Sequence, residues 1–168
     1  MKQPKINAAI RDKLFSPNPD TVISAIQSLK ESGNKEYLPL LFELLTKHRN
    51  NEVETEILKL LGSIKDKETV PVFVAALQDQ KFATIRKNIV TVCWQNGMDF
   101  SKFFEVFIDL IINEEWDIAF EACTVIENLE HFPPPEEMQA IKLKIARALK
   151  SANDQKQYFL EELLKMSS

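Results

Sequence analysis

The residues best suited to nucleophilic, acid–base or metal chemistry in this 168-residue chain are two histidines and two cysteines. His48 lies between Lys47 and Arg49, and His131 comes just before a run of three prolines. A zinc site needs several Cys or His residues at short paired spacings, and a hydrolase needs a base positioned beside its nucleophile. Neither histidine has such a neighbour, so we predict no metal ion, no cofactor and no catalytic residue.

The two cysteines, Cys93 and Cys123, form no C-x-x-C pair and give no sign of a disulfide framework. Each falls on the apolar face of a helical pattern, where cysteine behaves as a small hydrophobic residue. We therefore predict two free, buried and slowly reacting thiols.

Adjacent carboxylates such as Glu114 and Glu115 could in principle share acid–base work. Neighbouring positions on a helix point about 100° apart, however, and no other functional group converges on them. Negative charge is favourable near a helix N-terminus, and we assign these pairs to such positions or to solvated surface.

Glycine content and charge exclude further classes of protein. The only glycines, Gly33, Gly62 and Gly97, are too widely spaced to form a dinucleotide or phosphate-binding loop. The net charge is −4, and residues 101–168 hold thirteen Asp or Glu against seven Lys or Arg. Such an acidic chain lacks the basic surface that neutralises phosphates, so we predict no nucleic-acid partner.

The N-terminal segment bears on location. Residues Met1 to Phe15 mix charged and apolar side chains and lack the apolar core of a signal peptide. No apolar run reaches the ~20 residues of a membrane span. These features predict a cytoplasmic protein without a membrane partner.

The helices that carry these residues follow a pattern that recurs along the chain. An offset of 32 residues places Leu38-Pro39 on Val70-Pro71, and each segment has the apolar spacing of two helices joined by a turn. Both prolines fall in the first turn of the second helix, where a missing N–H costs no hydrogen bond. The predicted organisation is a single domain with repeats at 20–50, 51–80, 81–114 and 115–150, an N-terminal cap at 1–19 and a capping helix at 151–168.

No segment shows the alternating pattern of a strand, so the predicted fold class is all-α. An up-and-down bundle would also be helical, but it does not predict a recurrence with matching prolines. An α-solenoid of about four antiparallel helix pairs is therefore preferred.

The segment 53–79 resembles the short bacterial HEAT repeat. The positions that match its pattern are Val53, Leu61, Gly62, Ile64, Asp66, Val70, Pro71, Ala76, Leu77 and Asp79. The resemblance implies a right-handed solenoid whose second helices line a concave face. Proteins of this kind are mostly scaffolds, which favours a non-enzymatic module that binds a protein or peptide in that groove.

HEAT-like enzymes provide the alternative, either a lyase acting on a bilin or a DNA-alkylation glycosylase. The glycosylase needs a basic groove, and the acidic C-terminal half argues against it. Charge does not distinguish the lyase from a scaffold.

The helix predicted over residues 100–113 has more large apolar side chains than one buried face requires. A second stripe, at helical spacing, is formed by Phe104, Ile108 and Ile111. With the nearby acids Glu105 and Asp109, this stripe is the predicted partner-binding site, suited to a basic amphipathic segment. The alternative is that an irregular fourth repeat or strong curvature buries the stripe.

Overall fold

A computed structural model of the chain describes residues 6–32, 35–47 and 50–166. Over these residues the chain forms ten α-helices and no strand, which confirms the predicted all-α solenoid class. The helices are α1 (Ala8–Leu14), α2 (Pro19–Ser32), α3 (Leu38–Lys47), α4 (Asn51–Ser63), α5 (Val70–Gln78), α6 (Arg86–Gln95), α7 (Phe104–Asn113), α8 (Trp116–Glu127), α9 (Pro135–Leu149) and α10 (Asp154–Met166). No described helix is both long enough and apolar enough to cross a membrane.

The chain divides into two compact units, Met1–Asn96 and Gly97–Ser168. The first unit contains α1 to α6 and the second contains α7 to α10. The boundary falls between the two helices of the third predicted repeat, 81–114. The assignment of the whole chain to a single domain stays a prediction.

The helices of the first unit stack in the order expected of a repeat protein. Helix α2 packs on α4 and α4 packs on α6, while α3 packs on α5. First helices therefore stack on first helices and second helices on second helices, so that neighbouring repeats share one continuous core.

The second helices of the first two repeats start in the same way. A short 3-10 turn precedes each of them, Lys35–Tyr37 before α3 and Lys67–Thr69 before α5. Pro39 and Pro71 then occupy the second position of their helices, as the repeat predicts. A proline there loses no intrahelical hydrogen bond and favours the helical φ angle.

The core of the first unit is built around aromatic contacts. The Phe42 ring lies edge-on to Phe73 and to Phe82, with ring centroids 5.7 Å apart in both pairs. Arg86, the first residue of α6, is also buried. Its Nε donates a hydrogen bond to the Leu77 carbonyl at 3.0 Å. That bond satisfies a carbonyl in the last turn of α5, which no intrahelical N–H can reach.

In the second unit α7 is the central element, because it packs against α8, α9 and α10. Phe100, just before α7, meets Phe107 at 5.7 Å between ring centroids. Helix α10 is capped by Asn153, whose side chain accepts a hydrogen bond from the Lys156 backbone N–H at 3.0 Å.

Candidate functional site

The apolar stripe predicted to bind a partner is part of the core of the second unit. Phe104 is 4% exposed, and Ile108 and Ile111 are fully buried at 0%. The prediction of an exposed stripe is therefore wrong. The physical reason is that α7 packs against three other helices, α8, α9 and α10. One apolar face is too narrow to contact all three, so the second stripe is buried as well.

The two acids predicted to set the charge of a partner instead bind a lysine of the same unit. Lys144, on α9, forms ion pairs with Glu105 at 3.1 Å and with Asp109. The hydrogen bond to Asp109, and then the one to Glu105, raise the pKa of Lys144 above its usual value, although burial opposes them. These carboxylates link α7 to α9.

Both predicted thiols are free, but they differ in burial. Cys93 is fully buried, and loss of solvation raises the pKa of its thiol far above the usual range. Cys123 is only half-buried, which corrects the prediction for that residue. Burial, and then the nearby charge of Glu127, raise the pKa of Cys123 to about 12. A protonated thiol is a weak nucleophile, so neither cysteine is activated for catalysis.

Of the two histidines the structure describes His131, which lines a cleft of the second unit together with Asp99 and Ser101. The backbone N–H of His131 donates a hydrogen bond to the Ser101 Oγ at 3.1 Å. His48 lies outside the residues that the structure describes. Within the described ranges no group of three or more His, Cys, Asp or Glu side chains is placed to hold a metal ion.

A cleft of about 580 Å³ in the second unit includes two residues of the predicted site, Phe104 and Glu105. Two of its carboxylates, those of Glu105 and Asp99, have partners within the unit. Glu105 binds Lys144, and Asp99 accepts hydrogen bonds from the Ser101 backbone and hydroxyl. Burial alone would raise the pKa of Asp99, but these hydrogen bonds lower it. Two of the charges that line this cleft are thus paired within the unit, while Lys102 and Glu137 also line it.

A group of exposed aromatic side chains lies instead on α8 and α10. Trp116 and Phe120 are one turn apart on α8, and their rings stack at 5.5 Å with 23° between the planes. Phe159, on α10, is 6.2 Å from both rings and 6.0 Å from Tyr158. We call Trp116, Phe120, Tyr158, Phe159 and Met166 the aromatic patch. Four of them are well exposed: Trp116 at 45%, Phe120 at 46%, Tyr158 at 64% and Met166 at 40%.

The aromatic patch borders a cleft of about 470 Å³ between α8 and α10, which we call the α8–α10 cleft. Its lining residues are Phe120, Cys123, Thr124, Glu127, Tyr158, Phe159, Glu162, Leu163 and Met166. The two charged residues among them are Glu127 and Glu162. No lysine or arginine occurs among the described residues that line it. The cleft is thus mainly apolar, with two carboxylates in its lining. It can accept an apolar side chain of a partner that has a positively charged residue next to it.

Trp116, Phe120 and Tyr158 were not among the residues predicted to form a site. A signal was present, because Trp116 and Phe120 are four residues apart and so share one helical face. The buried positions of α8 are Ala119, Ala122, Val125 and Ile126, which form a different face. Two apolar faces on one helix indicate a surface beyond the core.

The family of HEAT repeats matches residues 7–94, just over half of the chain. The chain therefore belongs to the HEAT-repeat family, as the resemblance of segment 53–79 indicated. HEAT repeats commonly mediate protein interactions. A comparison with curated proteins finds no match. The family match ends before α7, so it does not include the aromatic patch.

Proposed function

We propose that this HEAT-repeat chain is a non-enzymatic interaction module that binds a protein or peptide at the aromatic patch, in the cytoplasm. The observation that carries the proposal is the clustering of exposed apolar side chains. Seven large apolar residues are well exposed in the described part of the chain, and four of them belong to the patch. Scattered exposed apolar residues are normal, whereas a contiguous group is typical of an interaction surface.

The chemistry of the patch supports a macromolecular partner. Trp, Tyr, Phe and Met are the residues enriched in the centres of protein interfaces. Because the rings already contact one another, binding would order few additional side chains and lose little conformational entropy. The adjacent cleft adds depth, into which a partner side chain can insert.

The state of the thiol that lines the cleft supports the non-enzymatic part of the proposal. The raised pKa of Cys123 keeps this thiol protonated at neutral pH. Glu127, near that thiol, raises the pKa further and therefore acts against a nucleophilic role.

Site-specific photo-crosslinking in the native cell tests the proposal. A photoreactive phenylalanine analogue would replace Phe120 in one variant and Leu143 in the control, because Leu143 is exposed on α9 outside the patch. We expect a discrete protein adduct from position 120, identified by mass spectrometry, and none from position 143. No adduct at position 120, or the same adducts at both positions, would contradict the proposal.

A further inference from the structure

The charge around the α8–α10 cleft restricts what can occupy it. Glu127 and Glu162 line the cleft, and both are exposed. Lys165 is the one described cation paired with either of them, 3.1 Å from Glu162 on the exposed face of α10. An exposed ion pair of this type contributes little, so a cation of a partner can replace Lys165 at small cost.

The floor and walls of the cleft are apolar. Phe159 and Leu163 are buried beneath it, and the side chains of Phe120, Tyr158 and Met166 surround it. Cys123 adds no charge, since burial keeps its thiol protonated. The combination of an apolar floor with carboxylates beside it matches a helix that has leucine-like residues on one face and lysine or arginine next to them.

The stacked rings of Trp116 and Phe120 add a second means of recognition. Their planes are only 23° apart and the two rings stack on each other, so their outer faces are the ones that a further group can approach. A lysine or arginine placed over an aromatic face is attracted by the ring quadrupole. A basic partner can therefore contact the patch through both its rings and its carboxylates.

Other occupants fit this charge less well. In a symmetric dimer the same surface meets itself, and Glu127 and Glu162 would face the equivalent carboxylates of the second copy. An anionic membrane or a nucleic acid would be repelled for the same reason.

We propose that the occupant of the α8–α10 cleft is a basic amphipathic segment of another protein, whose apolar face covers the aromatic patch and whose cations pair with Glu127 and Glu162. This inference rests on the proposed function, because it specifies the partner of the same surface. A basic amphipathic partner was predicted from the sequence, but for the stripe on α7; the structure gives it a different site.

Synthetic peptides test the inference directly. The probe is a helix-forming peptide of leucine and lysine with the leucines along one face, and its matched control has glutamate in place of lysine. In a Trp94→Phe background, Trp116 is the only tryptophan, so its fluorescence reports binding at the patch. We expect the lysine peptide to bind and the glutamate peptide to bind at least about tenfold more weakly at low salt.

Two variants separate charge from shape. Replacing Glu127 and Glu162 by Gln keeps the size of the side chains, and we expect this variant to bind the lysine peptide about tenfold more weakly and with less dependence on salt. The matched control, Glu130→Gln with Glu136→Gln, removes the same charge from exposed positions outside the cleft and should bind like the original chain. Phe120→Ser should abolish binding.

The possible results distinguish this inference from the proposed function. If both peptides bind equally and Phe120→Ser prevents binding of each, the patch is an interaction surface but the inference about charge is overturned. No binding of the lysine peptide would also overturn the inference, while the crosslinking contrast between positions 120 and 143 would still decide the proposed function. Self-association, or binding to phosphatidylglycerol vesicles, that is lost in Phe120→Ser would overturn the inference in favour of a second copy or a membrane.

Discussion

Gly62 and Gly97 illustrate two different reasons for a glycine in this chain. Gly62 lies on α4, and a Cβ added there would be 3.6 Å from Gln95 Oε1 and 3.9 Å from Gln95 Cβ, which are ordinary van der Waals distances. Its backbone is helical, so glycine is not required by conformation. Gly97 follows α6 with a φ of 70°, in the left-handed region that L side chains rarely adopt.

We predict that Gly62→Ala raises the free energy of unfolding by about 0.5–1 kcal/mol, because alanine favours the helix and its methyl group fits beside Gln95. Gly97→Ala is the matched control and should lower it by about 1–2 kcal/mol through backbone strain. Urea denaturation of both variants measures the two effects. The account would be contradicted if the Gly62 variant were less stable than the original chain.

The two cysteines should react at different rates with a thiol reagent in the native protein. Both have a raised pKa, so at neutral pH almost no thiolate is present and both should react slowly. Cys123 lines an open cleft and should be labelled first, and its rate should increase as the pH rises towards about 12. Cys93 should be labelled only when the first unit unfolds. Mass spectrometry of the labelled peptides checks the order, and faster labelling of Cys93 would contradict the assigned burial.

At the level of elements, α7 shows what helical periodicity can and cannot predict. The spacing of its apolar residues predicted a second stripe, and that stripe exists. Whether it faces solvent depends on how many helices surround α7, and this is set by residues of α8, α9 and α10 rather than by α7 itself. Local sequence carries no information about such contacts. The exposed apolar surface of this unit that forms the aromatic patch lies instead on α8 and α10.

We predict that Ile108→Asp lowers the free energy of unfolding by at least about 3 kcal/mol, because it removes buried apolar contacts and places a carboxyl in the core. Leu143→Asp is the matched control on exposed surface of α9 and should cost less than about 1 kcal/mol. Circular dichroism during denaturation measures both. If the Ile108→Asp protein were as stable as the original chain, the stripe on α7 would have to face solvent. That result would contradict its burial in the structure.

For the whole molecule, the repeat period predicted more of the first unit than of the second. The 32-residue recurrence placed the starts of α3 and α5 correctly, and the resemblance of segment 53–79 to the short HEAT repeat indicated the family that matches residues 7–94. In the second unit the proline run 133–135 and the long α9 break that period, so no repeat register extends over these helices from which their packing could be derived. The candidate site lies in this irregular part. The spacing of Trp116 and Phe120 indicates a second apolar face on α8, but it does not indicate that α10 packs beside that face.

The central claim is that the aromatic patch is the surface that meets a partner. Hydroxyl-radical footprinting tests it most directly, because Trp, Phe, Tyr and Met side chains react rapidly when exposed. The chain would be oxidised alone and in complex with the protein recovered by crosslinking, with Phe15 and Leu143 as exposed references outside the patch. We predict that labelling of Trp116, Phe120, Tyr158 and Met166 falls severalfold in the complex while the two references are unchanged. Protection of the references with unchanged labelling of the patch would contradict the claim.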